Sequence, residues 1–243
     1  MKAMILAAGN GTRLQPLTNN KPKALVEIKG VPLLEIVINR LIKFGFNDLI
    51  INVHHFADQI IEFLAKNKNF GINIQISEES KLLDTGGGIV NAQWFLKYSN
   101  PFLVYNVDII SDINLNELIE YHYDNKALVT LAVKERETKR YLLFDKENTL
   151  CEWRNIQTGA RKISREPKGN MRLLAYSGIQ VLNAEIFNLI EETGAFSIMD
   201  VYLRLAKNHI IKAFDQKNTT WFDMGRYKTV KEFNEKMKLD FLI

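Results

Sequence analysis

The 243-residue chain is 47% hydrophobic and 25% charged, the balance of an ordinary globular protein long enough for one large α/β domain or two small ones. No stretch reaches the ~20 apolar residues of a membrane span, "MKAMILAAG" is too short to be a secretory signal, and a lone cysteine, Cys151, excludes an intrachain disulfide and argues against a zinc cluster, so a reducing cytoplasm is expected. The net charge of +4, from 32 basic and 28 acidic residues interspersed along the chain, argues against nucleic acid as a partner.

In chain order, "AMILAA" (Ala3–Ala8) is a short apolar run that predicts a first strand. Apolar residues at helical spacing from Leu33 to Phe44, stopped by Gly45, predict a helix. "DLIINV" (Asp48–Val53) predicts a second strand, "ADQIIEFLAK" (Ala57–Lys66) an amphipathic helix, and "INIQI" (Ile72–Ile76) a third strand. "GGIVNAQWFLKY" opens a helix, and "PFLVYNVD" (Pro101–Asp108) is a strand that ends in an aspartate. "NELIEYHYD" is helical and "ALVTLAV" (Ala127–Val133) is again a strand. Repeated βα units of this kind predict parallel strands joined by right-handed crossovers.

Beyond about residue 135 the rhythm changes. "KERETKR" (Lys134–Arg140) has the alternating charges of a solvated turn, and "RYLLFD", "TLCEWRN" and "LLAYSGIQVLN" (Leu173–Asn183) are strand-like with no helices between them, an inserted antiparallel portion. "NAEIFNLIEE" and "SIMDVYLRLAK" return to helical spacing, "HIIKAFDQ" and "TTWFDMG" (Thr219–Gly225) follow, and an amphipathic helix from Tyr227 to about Leu239 closes the chain. With no linker, low-complexity tract or repeat, the expectation is a single α/β domain over 1–243: a Rossmann-like, mostly parallel sheet flanked by helices in 1–135, and an elaborated part in 136–243. The stripes Ile60/Ile61/Leu64 and Val201/Leu205 are expected core faces.

The first strand runs into Gly9-Asn10-Gly11-Thr12-Arg13, and "QPLTNNKPKAL" follows. Glycines let a backbone approach a ligand closely and expose N–H donors. Ligands of open α/β sheets sit beyond the carboxyl ends of the strands. Pro16 and Pro22 stiffen the loop, so Lys23 can be held over the same place as Arg13, an arrangement suited to a polyphosphate. The dinucleotide pattern fails because position 14 is leucine, and no G-K-[ST] follows at P-loop spacing. Asp108 and Asp223, both expected at the carboxyl edge of the sheet, are hard oxygen donors that a magnesium ion could share. His54 and His55 are adjacent, so strand geometry would point them to opposite faces, and they are read as structural. Cys151 is read as a packed thiol.

"LAAGNGTRLQPLTNNKPKAL" resembles the signature loop of the sugar-1-phosphate nucleotidyltransferases, which join a nucleoside triphosphate to a sugar 1-phosphate and release pyrophosphate. "DTGGGIVNA" (Asp84–Ala92), Asp108, "YSGIQVLN" and "WFDMG" follow in the family's order. The short length with "TGGGI", "FSI" and "WFDMG" is most similar to the N-acetylmuramate 1-phosphate uridylyltransferase branch of peptidoglycan recycling, and mannose- and heptose-1-phosphate guanylyltransferases share most of these features. The resemblance implies the nucleotide-diphospho-sugar transferase fold, with residues 1–135 binding nucleotide and 136–243 the sugar. It implies Arg13 and Lys23 as catalytic cations, with nucleotide contacts at Ala7, Ala8, Gly9, Gly11, Thr12, Glu79, Asp84, Thr85, Gly86 and Asn106. Magnesium would lie on Asp108 and Asp223, and Ser177 and Gly178 would meet the sugar. Trp153 and Arg154 reach the sugar or lie on the surface, and Ser177–Gly178 reads equally as an ordinary small pair in a strand.

Glu79 can accept from the N3–H of uracil or from the N1–H and N2–H₂ of guanine, so the base stays open. Relatives usually carry glycine where this chain has Val107, whose side chain is expected to crowd the ligand. The partners implied are a nucleoside triphosphate (UTP or GTP) and a sugar 1-phosphate, with neither nucleic acid nor membrane, on a monomer or homodimer. A non-catalytic nucleotide-sugar sensor on the same scaffold is the alternative of another class. A Rossmann oxidoreductase would need a third glycine and an acid ending the second strand, and both are missing.

Overall fold

The computed structural model describes residues 1–236. Strand β1 (Lys2–Leu6) leads through the glycine turn into a small hairpin, β2 (Glu27–Ile28) and β3 (Val31–Pro32), and then α1 (Leu33–Lys43). Next come β4 (Asp48–Val53), α2 (Ala57–Lys66), β5 (Asn73–Glu78), α3 (Asp84–Asn91), α4 (Gln93–Leu96), β6 (Phe102–Asn106) and β7 (Ile109–Ser111). Helix α5 (Leu115–Asp124), β8 (Val129–Lys134), β9 (Arg140–Phe144), β10 (Leu150–Asn155), β11 (Arg161–Ile163) and β12 (Arg172–Leu182) follow. Helix α6 (Ile198–Leu205), β13 (Ile211–Asp215), β14 (Trp221–Asp223) and α7 (Tyr227–Lys236) complete the described chain.

Strands β5, β4, β1 and β6 lie side by side and parallel. β12 runs antiparallel beside β6, then β8, with β13 parallel to β8 at the end. β1 sits in the middle, and its residues divide between two cores: Ala3 and Ile5 face the layer of α1, α2, α5 and α7, and Met4 and Leu6 face that of α3, α4 and α6. This is why "AMIL" reads as unbroken apolar sequence, since both faces of a central parallel strand are covered. α2 buries Ala57, Ile60 and Leu64 at helical spacing, whereas Ile61 lies outside that stripe and is 41% exposed. No helix among the described residues is long and apolar enough to cross a membrane.

β12 does two jobs. Its second half joins the main sheet, and its first half, Arg172–Leu174, pairs with β9 to start the antiparallel extension β9–β10–β11. The switch is a bulge between Tyr176 and Gln180, with Gly178 at φ 81°. Glu152 anchors the extension: it is 2% exposed and accepts from Arg161 Nε (2.7 Å), Arg161 Nη2 (2.6 Å) and Arg154 Nε (2.8 Å).

Three expectations are corrected. "NAEIFNLIEE" forms only a 3₁₀ turn, Ala184–Asn188, because Ile186 is drawn into the core and Phe187 stacks on Phe102 at 5.5 Å. "KERETKR" is not a wholly solvated turn: β8 carries its alternation onward, so Lys134 and Arg136 are half-buried while Glu135 and Glu137 are exposed. The closing helix is described to Lys236, and its expected last turn to Leu239 lies outside the described residues.

The hydrogen bond from Arg161 holds the Glu152 carboxyl down at about 2, against about 4.5 in the unfolded chain. Stability from this group is therefore complete above pH ~4.5 and is lost as pH falls toward 2. We expect Glu152→Gln to lower unfolding stability by about 1.5–3 kcal/mol at pH 7. In urea denaturation between pH 7 and 3, the gap from wild type should narrow as pH falls.

Candidate active site

β1 stops at Leu6 and the chain leaves the sheet through the glycine turn. Gly11 adopts φ 65° and ψ 23°, a left-handed conformation that suits a residue without Cβ. The turn is closed by Thr18, whose hydroxyl donates to the Gly11 carbonyl at 2.9 Å. The amides of Gly9, Asn10 and Gly11 have no backbone acceptor among the described residues, so they remain donors for an anion.

Lys23 starts a short 3₁₀ turn after Pro22 and reaches back over the glycines. A Cβ on Gly9 would lie 3.3 Å from Lys23 Nζ. The same ammonium pairs with Asp108 Oδ2 at 3.2 Å, with both side chains largely buried. Asp108 follows β6, and its carbonyl accepts from the Met224 amide at 2.8 Å. β14 pairs with β7 in a register that sets Asp223 opposite Ile109, the neighbour of Asp108. Asp223 Oδ1 in turn accepts from the Gly225 amide at 2.9 Å.

Gly225 marks where these elements meet. A Cβ there would stand 2.8 Å from Asp108 Oδ2, 2.8 Å from Asp223 Oδ1 and 3.1 Å from Arg13 Nη2. Two carboxylate oxygens and a guanidinium thus surround the space of a single methyl group, and the two oxygens are at most twice 2.8 Å apart. Paired hard oxygens fit a magnesium ion, which binds them at about 2.1 Å and takes its remaining ligands from water and phosphate. Val107 does not crowd the cleft: it is fully buried in the core beneath.

Two further cations belong to this neighbourhood. Arg136 lies over the Trp221 ring at 4.3 Å and donates to the Tyr176 carbonyl at 2.9 Å. Burial pulls its pKa below the usual arginine value, opposed by the charge of Asp223 and reinforced by that of Arg226. Arg13 has no hydrogen bond or ion pair among the described residues. Positive charge exceeds negative here.

Beside this charged end lies a cavity of about 370 Å³. Ala8, Gly9, Lys23, Asn106, Asp84 and Thr85 line it, as do Asn52, Glu79, Leu82 and Ala195. Glu79 is 3% exposed; Oε1 accepts from Asn52 Nδ2 at 2.7 Å and Oε2 from the Leu83 amide at 2.9 Å. Asp84 takes φ 56°, and its carboxylate accepts from the Thr85 amide at 2.6 Å.

The glycines of "DTGGG" serve close packing. The segment Gly194–Ile198 straps across the start of α3, with Gly86 N–H donating to the Phe196 carbonyl (2.9 Å), Phe196 N–H to the Leu83 carbonyl (3.1 Å) and Ile198 N–H to Thr85 Oγ1 (3.0 Å). Gly86 is therefore covered by Phe196, and its amide is already bonded. The Ala7 amide is likewise taken, by Asn52 Oδ1 at 2.7 Å. Thr12 opens the 3₁₀ turn after Gly11 and is exposed.

On the expected sugar side, Ser177 is fully buried, and its carbonyl rather than its hydroxyl is engaged, by Trp221 Nε1 at 2.9 Å. Gly178 makes room: a Cβ there would meet Ile109 Cγ1 at 2.6 Å and Asn106 Nδ2 at 3.1 Å. Arg154 is held by Glu152, and Trp153 packs against the α3/α4/α6 core. His54 Nδ1 binds the Glu79 carbonyl at 2.7 Å and the exposed His55 lies against Phe56, and, against the expectation of opposite faces, both border one cleft with Asn10, Thr12 and Gln15. Cys151 is buried with its thiol on the Thr149 carbonyl.

Sequence reasoning missed Asn52, Arg136, Ala195 and Gly225. Asn52 had a signal, as the polar interruption in "LIINV". Arg136 had one in the continued alternation of β8. Nothing in the sequence tied the Phe196 strap to the glycine triplet.

A family model described as nucleotidyl transferase matches residues 2–239. A mannose-1-phosphate guanyltransferase of Yarrowia lipolytica is 33% identical over 232 residues, covering 94% of this chain and 61% of that protein. A bifunctional protein GlmU of Methanocaldococcus jannaschii is 30% identical over 244 residues, covering 97% of this chain and 54% of that protein. The chain thus spans only part of the length of these curated relatives. The crystal structure of HddC from Yersinia pseudotuberculosis complexed with GMP-PN superposes with a TM-score of 0.75 at 24% identity, over 98% of this chain and 99% of that one. That likeness establishes a nucleotidyltransferase fold, with its mostly parallel sheet flanked by helices.

The strap gives a direct test. A Cβ on Gly86 would stand 2.2 Å from the Phe196 ring and 2.9 Å from its carbonyl oxygen. We expect Gly86→Ala to cost about 1–3 kcal/mol or more through overpacking. Thermal unfolding should show the loss, and limited proteolysis should show faster cutting within 190–198.

Proposed function

The chain belongs to the nucleotidyl transferase family, and on that premise we propose that it transfers a nucleotidyl group from a nucleoside triphosphate to a sugar 1-phosphate. The convergence of Asp108, Asp223 and Arg13 on Gly225, with Lys23 alongside, carries this reading. The acceptor's phosphate oxygen attacks the α-phosphorus, a new P–O bond forms, and the bond to the bridging oxygen breaks as pyrophosphate leaves with the electron pair. A phosphomonoester is ionised near neutral pH, with a second pKa of about 6, so no protein base is needed. What the step requires is that two anions be brought together in line and their charge offset.

Each residue then has a task. Arg13 and the free amides of the glycine turn meet the β- and γ-phosphates of the leaving group. Lys23, held over Gly9, sits beside the reacting phosphates. Asp108 and Asp223 would hold magnesium, which when bound supplies positive charge to the phosphate oxygens. Arg136, kept in place by Trp221, offers a cation on the acceptor side. In the cavity Glu79 faces the base, with Asp84 and Thr85 beside it. Cations alone would serve a sensor of nucleotide-sugar too, but two carboxylates set beside its diphosphate would only repel it unless a cation lay between them.

For substrates, the uridylyl reading with N-acetylmuramate 1-phosphate, and the cell-wall recycling role it carried, gives way to the guanylyl alternative. Mannose-1-phosphate guanyltransferases stand among the curated relatives beside the GlmU protein, and a buried Glu79 carboxylate suits the two adjacent donors of guanine. GTP and mannose 1-phosphate, or a related hexose or heptose 1-phosphate, are the proposed pair.

Released pyrophosphate should be measured for UTP, GTP, CTP and dTTP against mannose 1-phosphate, N-acetylmuramate 1-phosphate and glucose 1-phosphate, with magnesium. GTP with mannose 1-phosphate should give the highest kcat/KM; fastest turnover with UTP and N-acetylmuramate 1-phosphate would reverse the substrate assignment. Asp108→Asn and Lys23→Ala should each lose roughly 10²–10³ in kcat while staying folded. Normal turnover by Asp108→Asn would remove the metal assignment.

A further inference from the structure

Asn52 is a buried polar residue near the end of β4, 3% exposed. Its side chain is bonded at both ends. Oδ1 accepts from the Ala7 amide, where β1 enters the glycine turn, at 2.7 Å. Nδ2 donates to Glu79 Oε1, at the end of β5, also at 2.7 Å. The amide cannot be reversed, because a flip would set donor against donor at Ala7 and acceptor against acceptor at Glu79. α3 presses on the pair: a Cβ on Gly88 would stand 2.8 Å from both Asn52 Nδ2 and Glu79 Oε1. Glu79 is a buried carboxylate with no salt-bridge partner among the described residues, so neutral N–H donors alone satisfy it, and its orientation depends on them.

We propose that Asn52 is a positioning residue that sets base selectivity by locking the Glu79 carboxylate to the entry of the phosphate-binding turn. The proposal rests on reading the cavity as a nucleotide site. In that reading Glu79 tells bases apart by the N–H donors they present. Discrimination by hydrogen bonding requires a fixed acceptor, since a mobile one re-aims at either base. The bridge through Asn52 also ties the base wall to the chain that carries the phosphates, so base and phosphate are read in one frame.

Asn52→Asp isolates the Glu79 half of the bridge. An aspartate keeps an acceptor for the Ala7 amide but sets a carboxylate oxygen against Glu79 Oε1 at the 2.7 Å now spanned by the amide. Two such carboxylates cannot both be ionised; one pKa rises, and a shared proton restores a bond. The other titratable groups facing Glu79 are His54, on its carbonyl, with Lys23 and Asp84 along the cavity. Wild type measured over the same pH range reports any effect of His54.

The experiment is calorimetric titration of the whole protein with GTP, UTP and pyrophosphate in the absence of acceptor sugar, for wild type, Asn52→Asp and Glu79→Gln, between pH 6 and 9. Wild type should prefer GTP. At pH 9, Asn52→Asp should lose at least about tenfold of that preference while its pyrophosphate affinity stays within about twofold, and the preference should return toward pH 6. Glu79→Gln should lose preference with no such recovery. Equal weakening of GTP, UTP and pyrophosphate by Asn52→Asp would show a structural role only and overturn the proposal, as would an unchanged GTP:UTP ratio or a wild type with no preference. Because no turnover is needed, absence of pyrophosphate release from every substrate pair would sink the transferase reading and leave this result standing.

Discussion

The ion pair between Lys23 and Asp108 joins the two halves of the site. Lys23 comes from a loop beyond β1, and Asp108 lies in the turn just after β6, the strand paired with β1. Both side chains are mostly shielded from water, where an unpaired charge would be costly. The pair holds the glycine turn against the carboxyl edge of the sheet, where the amides of Gly9, Asn10 and Gly11 have no backbone acceptor among the described residues. It also leaves the Asp108 carboxylate largely covered, with Lys23 as its ion-pair partner. Arg13 and Arg136 add positive charge with no carboxylate within ion-pair distance of either among the described residues, although the charge of Asp223 acts on Arg136, so cations outnumber acids in the cleft.

Close approach is the second constraint, and missing side chains provide it. Gly225 lets Asp108, Asp223 and Arg13 crowd around one point. Gly88 lets α3 rest on the Asn52–Glu79 bridge, and Gly86 lets the Phe196 strap cross the loop beside the cavity. In each case the backbone of one element reaches functional groups of another at van der Waals contact, and even a methyl group would force them apart. The strap comes from beyond β12, so chain from the second part of the sequence helps wall the cavity built mainly by the first.

Much of the fold was legible because burial leaves a periodic trace. The spans of β4 and α2 follow directly from the apolar run of "DLIINV" and the stripe of "ADQIIEFLAK". The trace fails where a short apolar run can be buried without regular structure, as in "NAEIFNLIEE". It also misleads where a charge run continues a strand, as at Lys134 and Arg136, because long cationic side chains can lie along a protein surface and still read as solvent-facing.

The sequence by itself determined the layered α/β plan, the glycine turn with its two cations, and the aspartates at strand ends, because each depends on local backbone preference or on which face of an element is apolar. Only the tertiary structure decided which groups meet. That Asp223 lies next to Asp108 follows from the register of β14 on β7, that Gly86 serves Phe196 follows from a strap over a hundred residues away, and that Glu79 is held by Asn52 follows from the order of β5, β4 and β1 in the sheet. Such meetings are set by pairing between distant strands, and a single chain of letters carries no mark of which strand will lie beside which.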